Sequence, residues 1–375
     1  MSLPAGHEWR SSLLERIHRF IARAEPDETE AAALARELAA LHYAEMPVYR
    51  RFCDIRGVAP AACENLRDLP ALPTDAFKRA ELHIAPETVE RRFSTSGTTG
   101  GEEHKGVACY SADDLTLMDT AIDANAERYL FPDHNDVRTR IFVLAPPPAA
   151  APQMIMVYGM DRLVRRYGAP ESRFLVGAQG LELDALLAAL QGAAADRAPV
   201  TLIGASFGFV HLFEYLAEAG RSFVLPPASR IMDAGGFKGR SRAVTRREML
   251  EAFQAHLGVP ETHCVNLLGL TEHASQFYDD ARAAAAEGRA PRRGKQNAPW
   301  TRTWAVDPET LEILPHGQPG LLRHLDLANG GHPFIVQTDD LGATTETGFE
   351  VIGRADAAQS RGCSITVDEL MEGTA

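Results

Sequence analysis

The chain has 375 residues, and 38 Lys and Arg against 51 Asp and Glu give it a formal net charge of −13. This length allows two or three domains, or one large domain with a small appendage. The composition, 45% hydrophobic and 24% charged, excludes a collagen-like or disordered chain. The acidic balance disfavours nucleic acid as a partner, because binding to a phosphate backbone needs a basic surface.

Neither a membrane span nor a disulfide framework is predicted. No stretch approaches the roughly 20 apolar residues that cross a bilayer. The N-terminus also lacks the basic and then apolar pattern of a signal peptide, so we expect a cytoplasmic protein. The cysteines are odd in number and have no CxxC pairing, which argues against disulfides and structural zinc. They are Cys53, Cys63, Cys109, Cys264 and Cys363.

Residues 1–92 are predicted to form a helical part. Apolar residues recur at helical spacing over 8–44, which indicates two amphipathic helices, the second opened by Asp27. The segment 69–82 contains two prolines and then resumes helical spacing. We therefore expect a loop that leads into a short helix there.

Residues 93–300 are predicted to form an α/β part. The predicted helices are 112–129, 182–194, 208–219 and 245–257, and the predicted strands are 139–144, 200–203, 230–232 and 263–268. Strands that alternate with helices need crossover connections, so we expect a largely parallel sheet.

After residue 300 the pattern changes to short strands separated by Gly and Pro turns. This change predicts a small β subdomain over 301–355, followed by a tail over 356–375. Its predicted strands are 301–306, 320–325, 334–337 and 349–352.

The segment Phe93–Gly101, FSTSGTTGG, is the most informative stretch of the chain. Its glycines and small hydroxyl residues present unhindered N–H and O–H groups, which can surround phosphate oxygens. It is not a Walker A loop, because GxxxxGK[ST] is absent. Composition alone leaves a flexible surface loop equally possible.

This loop resembles the phosphate-binding loop of the acyl-adenylate-forming superfamily, which includes acyl-CoA synthetases, adenylation domains and luciferases. The matching residues are Thr95, Ser96, Gly97, Thr98, Thr99 and Gly100, and Lys105 corresponds to the lysine that usually follows. The segment 266–272, NLLGLTE, resembles the family's aromatic-Gly-x-Thr-Glu motif. The resemblance implies that Thr271 contacts the α-phosphate and that Glu272 holds Mg²⁺. Leu268 stands where this motif usually has tyrosine.

Three further segments resemble the same superfamily. Residues 233–238, DAGGFK, are similar to the strand end that lies along the adenine, which implies that Gly235 and Gly236 bind nucleotide. Asp339 resembles the ribose-binding aspartate, with the adjacent Asp340 as an alternative. Residues 353–356 resemble the Gly-Arg-x-Asp hinge, which implies a nucleotide contact for Arg354.

The reaction implied by this resemblance needs positive charge. A carboxylate attacks the α-phosphate of ATP and expels pyrophosphate, so two anions must approach each other. Mg²⁺ at Glu272, the amides of residues 97–101 and Lys105 would supply the neutralisation. The implied cofactors are therefore ATP and Mg²⁺.

Only 19 residues follow Asp356, so we expect the superfamily's mobile C-terminal domain to be absent. We expect the large N-terminal domain of the superfamily to be present, with mixed and parallel sheets flanked by helices. The length, the segment 69–78 and Cys363 resemble the acyl-protein synthetase family of bacterial bioluminescence, also called long-chain-fatty-acid luciferin-component ligase. This resemblance implies an AMP-forming acid–thiol ligase that activates a fatty acid. It would take the acyl group onto Cys363 and pass it to a partner acyl reductase.

Two alternatives stay open at this point. The chain could deliver its adenylate to CoA or a carrier protein with help from another chain. It could also be a nucleotide-binding module that has lost catalysis, since Leu268 replaces the usual tyrosine.

Overall fold

The computed structural model describes residues 6–95, 105–133, 138–235 and 244–355. The chain divides into two compact units. Unit 1 comprises Met1–Ala124, Leu270–Ser275 and Gln296–Ala375, and unit 2 comprises Asn125–Gly269 and Gln276–Lys295. Each unit therefore brings together segments that are distant in sequence.

The described residues form helices of both units. They are α1 (Gly6–Arg23), α2 (Glu28–Glu45), α3 (Pro47–Ile55), α4 (Ala112–Tyr129), α5 (Ile155–Tyr167), α6 (Leu183–Asp196), α7 (Ser206–Glu218), α8 (Arg246–Leu257) and α9 (Ala281–Ala286).

The strands of the described residues are short. They are β1 (Leu72–Pro73), β2 (Val89–Ser94), β3 (Val107–Ser111), β4 (Arg140–Leu144), β5 (Arg173–Phe174), β6 (Val176–Gly177), β7 (Gly180–Leu181), β8 (Val200–Ala205), β9 (Arg230–Ala234), β10 (Cys264–Leu268), β11 (Phe277–Tyr278), β12 (Lys295–Gln296), β13 (Thr301–Val306), β14 (Pro319–Asp326), β15 (Ile335–Thr344) and β16 (Gly348–Arg354).

Unit 1 contains helices α1 to α3 and a sheet in the order β12-β16-β15-β14-β13, with β1 parallel to β15. The strands β13 to β16 pair antiparallel. Helix α2 begins where the Asp27 carboxylate accepts the Glu30 N–H at 2.9 Å, since such a cap satisfies an otherwise unpaired donor. Helix α3 begins at Pro47, whose fixed φ suits the first helical turn. A separate hairpin pairs β2 with β3.

Unit 2 is built on a sheet in the order β11-β10-β9-β8-β4-β5. Five of these strands are parallel and β11 joins antiparallel. Its core packs side chains of α6, α7 and α8 against the sheet. Helix α8 is bounded by a Thr245–Glu248 capping box and by Gly258 in the left-handed conformation at φ +67°. The predicted α/β class with a largely parallel sheet is confirmed.

Several predicted elements differ from the observed ones. The sequence predicted two helices before residue 60, whereas α3 adds a third. Helix α5 was not predicted, because the Pro and Ala run before it suggested only a loop. The predicted short helix after Pro73 is a 3₁₀ turn over Thr74–Lys78. Within the described ranges, no helix combines the length and apolar character that crossing a bilayer requires. The boundaries of the four predicted parts stay predictions.

Candidate nucleotide site

The Ser, Thr and Gly loop belongs to the segment that connects β2 to β3 in the hairpin of unit 1. The last strand pair of the hairpin is Ser94 with Val107. Beyond it, the Thr95 N–H donates to the Gly106 carbonyl at 2.9 Å, and the Gly106 N–H donates to Thr95 Oγ1 at 2.9 Å. These two bonds tie the ends of the loop together. Lys105 is half-buried beside this closure.

The remaining loop residues predicted to bind phosphate lie outside the described residues. They are Ser96, Gly97, Thr98, Thr99 and Gly100.

Tyr110 on β3 connects this hairpin to the Thr-Glu segment of unit 1. Its hydroxyl lies 3.5 Å from the Thr271 carbonyl, a long contact for an O–H donor. The ring is buried, with its centroid 5.3 Å from that of Phe93. Burial and the nearby carboxylates, Glu272 among them, hold the pKa of Tyr110 well above its usual value, so its hydroxyl keeps its proton.

Thr271 and Glu272 follow β10 along the chain and belong to unit 1. Thr271 is half-buried, and Glu272 is only 9% exposed. Its carboxylate lies near enough to the Tyr110 hydroxyl to contribute to the raised pKa of that group. The structure therefore brings β3, the strand that follows the loop, and the Thr-Glu pair together, although 161 residues separate Tyr110 from Thr271.

The predicted ribose and hinge residues lie on β15 and β16 of the same unit. Asp339 and Asp340 are half-buried neighbours, and Arg354 is exposed. The Asp339 carbonyl accepts the Ala355 N–H at 2.8 Å. Asp340 is directly opposite Arg354 in the antiparallel register, and opposed residues present their side chains on one face. Asp340 therefore shares a sheet face with Arg354.

Gly235 directly follows the last residue of β9 in unit 2. Its φ of +79° lies in the left-handed region, which glycine adopts without strain. The Gly235 N–H donates to the Leu267 carbonyl on β10 at 3.0 Å, and the Ser206 hydroxyl donates to the Gly235 carbonyl at 3.0 Å. Gly236 lies outside the described residues.

A buried charged network lies beside β10 in unit 2. Lys295 Nζ donates to the Asn266 carbonyl at 2.9 Å and to Asn266 Oδ1. Asn266 Nδ2 in turn donates to the Asp233 carboxylate at 2.9 Å, and Arg246 pairs with the same carboxylate at 2.6 Å. Burial lowers the pKa of Lys295 to about 8, although Asp279 and Asp233 oppose the shift. The sequence analysis did not single out Lys295, because lysine carries no signal of burial.

Four cysteines lie in the described residues, and burial suppresses the reactivity of each. It raises the pKa of Cys53 to about 12 and that of Cys109 to about 11, and it also raises the pKa values of Cys63 and Cys264. Because the thiolate is the nucleophile, these four thiols are poor acyl acceptors at neutral pH. The predicted acceptor, Cys363, lies outside the described residues.

The described part of the chain holds no group of three or more His, Cys, Asp and Glu side chains arranged to bind a metal. This is compatible with Mg²⁺, which proteins commonly bind through one or two carboxylates together with substrate phosphates. The Glu272 carboxylate is a hard oxygen donor of the kind that Mg²⁺ prefers. The donor chemistry of this segment therefore fits the predicted ion.

The fold is that of the adenylate-forming ligases. The chain superposes on an open conformation of 2-hydroxyisobutyryl-CoA ligase, solved with 2-HIB-AMP and CoA, with a TM-score of 0.61 at 14% identity. The match covers 89% of this chain and 77% of that one. The same ligase in its postadenylation state gives a TM-score of 0.58 at 14% identity, covering 94% of this chain and 69% of that one. The predicted fold family is confirmed.

A family model described as "Acyl-protein synthetase, LuxE" matches residues 23–372. This chain therefore belongs to the LuxE acyl-protein synthetase family, as its motifs predicted, and the predicted ligase class is confirmed with it. The long-chain-fatty-acid–luciferin-component ligase of Vibrio harveyi is 26% identical over 341 residues, 88% of this chain and 84% of the relative. The enzyme of the same name from Aliivibrio fischeri is 22% identical over 354 residues, 90% of this chain and 88% of the relative.

Proposed function

We propose that this chain activates a long-chain fatty acid with ATP and takes the acyl group onto Cys363. The fatty-acid carboxylate attacks the α-phosphorus of ATP, pyrophosphate leaves, and acyl-AMP forms. The Cys363 thiolate then attacks the acyl carbon, and AMP leaves. The observation that carries the proposal is the contact of Tyr110 with the Thr271 carbonyl, because it sets β3, the strand that follows the Ser, Thr and Gly loop, beside the Thr-Glu pair. The names of the two curated relatives support the substrate class.

Several residues of unit 1 each neutralise part of the negative charge of ATP. We assign the phosphates to Thr95 and the loop residues 96–100, with Lys105 as a cation at the end of that loop. Thr271 contacts the α-phosphate, and Glu272 holds Mg²⁺. When bound, this ion offsets the negative charge of the phosphate oxygens. Burial of Glu272 strengthens its attraction for a cation, because the surroundings have a low dielectric constant.

In unit 2, we assign Gly235 and Gly236 to the nucleotide, as their motif implies. In unit 1, we assign one aspartate of β15 to the ribose on the strength of its own motif. The left-handed turn at Gly235 leaves open space where a side chain would begin, as close approach of a base requires. Between the two candidate aspartates, the register favours Asp340 for the ribose hydroxyls, since it shares a face with Arg354. We infer that the acyl group passes from Cys363 to a partner acyl reductase.

Carboxylate-dependent exchange of labelled pyrophosphate into ATP tests the activation step. A panel of short, medium and long saturated acids should show exchange that rises with chain length in the wild-type protein. Glu272→Gln should reduce the exchange rate by about 100- to 1,000-fold, the usual cost of removing one stabilising group. The exposed Glu309→Gln serves as the control and should exchange at the wild-type rate.

Two outcomes would contradict the proposal. If no acid supports exchange while ATP still binds, the chain is a nucleotide-binding module without ligase activity. If the purified chain forms acyl-CoA independently of Cys363, the acyl acceptor is CoA and the covalent relay is wrong.

A further inference from the structure

The main chain that follows the proposed metal ligand is buried throughout. Glu272, His273, Ala274 and Ser275 are all at most 9% exposed, and all belong to unit 1. A buried segment without regular structure must find hydrogen-bond partners for its peptide groups elsewhere. Two side chains, Asp326 at the end of β14 and Asn329 in the loop that follows, supply several of these partners.

Asn329 bridges the two sides of this segment. Its Nδ2 donates to the Glu272 carbonyl at 2.8 Å, and its Oδ1 accepts the Ala274 N–H at 2.8 Å. The same Nδ2 donates to the Pro333 carbonyl at 2.8 Å, which fixes the amide to its own loop. The side chain is fully buried, so no water competes for these bonds. Asn329 thus determines the orientation of both peptide groups that flank His273.

Asp326 fixes the end of the segment. Its two carboxylate oxygens accept the Ser275 N–H and the Ser275 hydroxyl, each at 2.8 Å. Oδ1 also accepts the Ala328 N–H at 3.0 Å, and Trp300 Nε1 donates to Ser275 Oγ at 2.8 Å. Hydrogen bonds to a carboxylate are about twice as strong as neutral ones, so this end is held firmly.

We propose that Asp326 and Asn329 are positioning residues that aim the Glu272 carboxylate at the metal. This inference rests on the proposed function. Glu272 lies at the junction between the half-buried Thr271 and the fixed segment 273–275. If the Asn329 bridge is lost, the Glu272 peptide can rotate, and the carboxylate moves with it. Partners of this kind typically change metal affinity or activity by 10- to 100-fold.

A role confined to folding would give different assay results from a positioning role. It would lower the amount of folded enzyme without changing how the folded enzyme responds to Mg²⁺. A positioning role raises the Mg²⁺ concentration required for half-maximal rate. It also makes the effects of changing Asn329 and Glu272 non-additive, because both changes remove the same interaction.

The test measures both pyrophosphate exchange and calorimetric ATP binding against Mg²⁺ concentration in five variants. Asn329→Asp keeps the size of the side chain but removes both donated hydrogen bonds. Ser275→Ala removes the hydroxyl that joins Asp326 to Trp300, and it provides a milder variant should Asn329→Asp fail to fold. Leu38→Ala, a buried leucine of α2, controls for lost stability. Glu272→Gln and its combination with Asn329→Asp complete a double-mutant cycle.

Asn329→Asp is expected to lower the exchange rate by about 10- to 100-fold, with a matching rise in the Mg²⁺ requirement. Ser275→Ala should shift both quantities in the same direction by less, and Leu38→Ala should leave the Mg²⁺ requirement of the folded enzyme unchanged. Asn329→Asp should cost nothing further in the Glu272→Gln background.

An unchanged Mg²⁺ requirement in both Asn329→Asp and Ser275→Ala, or losses that multiply in the double variant, would overturn the positioning role alone. Absence of exchange in the wild-type protein, or full exchange in Glu272→Gln, would overturn the proposed function and this inference with it.

Discussion

Mild acid should destabilise unit 1 through four buried histidines. His42, His273, His324 and His332 are each at most 1% exposed. Burial lowers the pKa of His42 to about 4 and those of His273 and His332 to about 3, and it holds the pKa of His324 well below its ordinary value. These rings stay neutral in the folded protein but accept protons near pH 6.5 once unfolded. Stability is therefore present above pH 6.5 and is lost as the pH falls below it.

The magnitude follows from the linkage between folding and proton binding. Between pH 7 and pH 5.5, each histidine lowers the free energy of unfolding by roughly 1 kcal/mol, so the four together contribute about 4–5 kcal/mol. Asp326 acts in the opposite direction. Burial raises its pKa to about 6, so protonation in this interval stabilises the folded form by less than about 1 kcal/mol. The expected net loss is about 4 kcal/mol, a large fraction of typical domain stability.

Urea unfolding at pH 7 and at pH 5.5 measures this difference directly. His332→Leu should reduce the pH-dependent loss by roughly 1 kcal/mol, because it removes one of the four titrating rings. His211→Leu changes an exposed histidine and should leave the loss unchanged. A wild-type difference below about 1 kcal/mol would refute the reasoning, since it would mean that the buried rings already carry protons in the folded state.

Three further predictions concern the nucleotide site and its support. Gly235→Ala should lower the free energy of unfolding by about 1–2 kcal/mol, because φ is positive there, and it should also weaken ATP binding. The control Gly317→Ala, at φ +83°, should lower the free energy of unfolding by the same amount without changing the affinity for ATP. Equal ATP affinities in the two would contradict a nucleotide contact at Gly235. Asp340→Asn should weaken ATP binding measured by calorimetry more than Asp339→Asn, and the reverse order would place the ribose at Asp339. Lys295→Met should lower the free energy of unfolding by about 1–3 kcal/mol in urea titration, because it removes the two hydrogen bonds that the buried ammonium donates to Asn266. An unchanged free energy of unfolding would argue against a structural role for these bonds.

The alternation of strands and helices in unit 2 was predictable because each pattern is local. The strand Val200–Ala205 is apolar and bounded by helices with regular periodicity, and helix α4 is observed over the predicted residues. Helix α5 escaped prediction because the preceding prolines dominate the local signal. No local pattern could have placed the helices α1 to α3 in one unit with strands β13 to β16, since that grouping depends on contacts across about 300 residues.

For the candidate site too, local patterns predicted the motif residues but not their long-range contacts. The motif residues Thr271 and Glu272 could be selected from sequence, because their order and spacing resemble a known pattern. The residues that contact this segment could not be selected in the same way. Asp326 and Asn329 occur in a stretch, DLANGG, that suggests only a turn by composition, and Tyr110 alternates with apolar residues in an ordinary strand. Their importance depends on hydrogen bonds to a segment more than fifty residues away in the chain.

Intact-protein mass spectrometry after incubation with ATP, Mg²⁺ and a long-chain fatty acid tests the central claim most directly. The account predicts that the wild-type protein gains the mass of one acyl group, that hydroxylamine removes it, and that Cys363→Ser gains nothing while it still exchanges pyrophosphate. The four described cysteines, whose pKa values are raised, should carry no acyl group. An adduct that persists in Cys363→Ser, or a wild-type protein that activates the acid without ever gaining mass, would contradict the account.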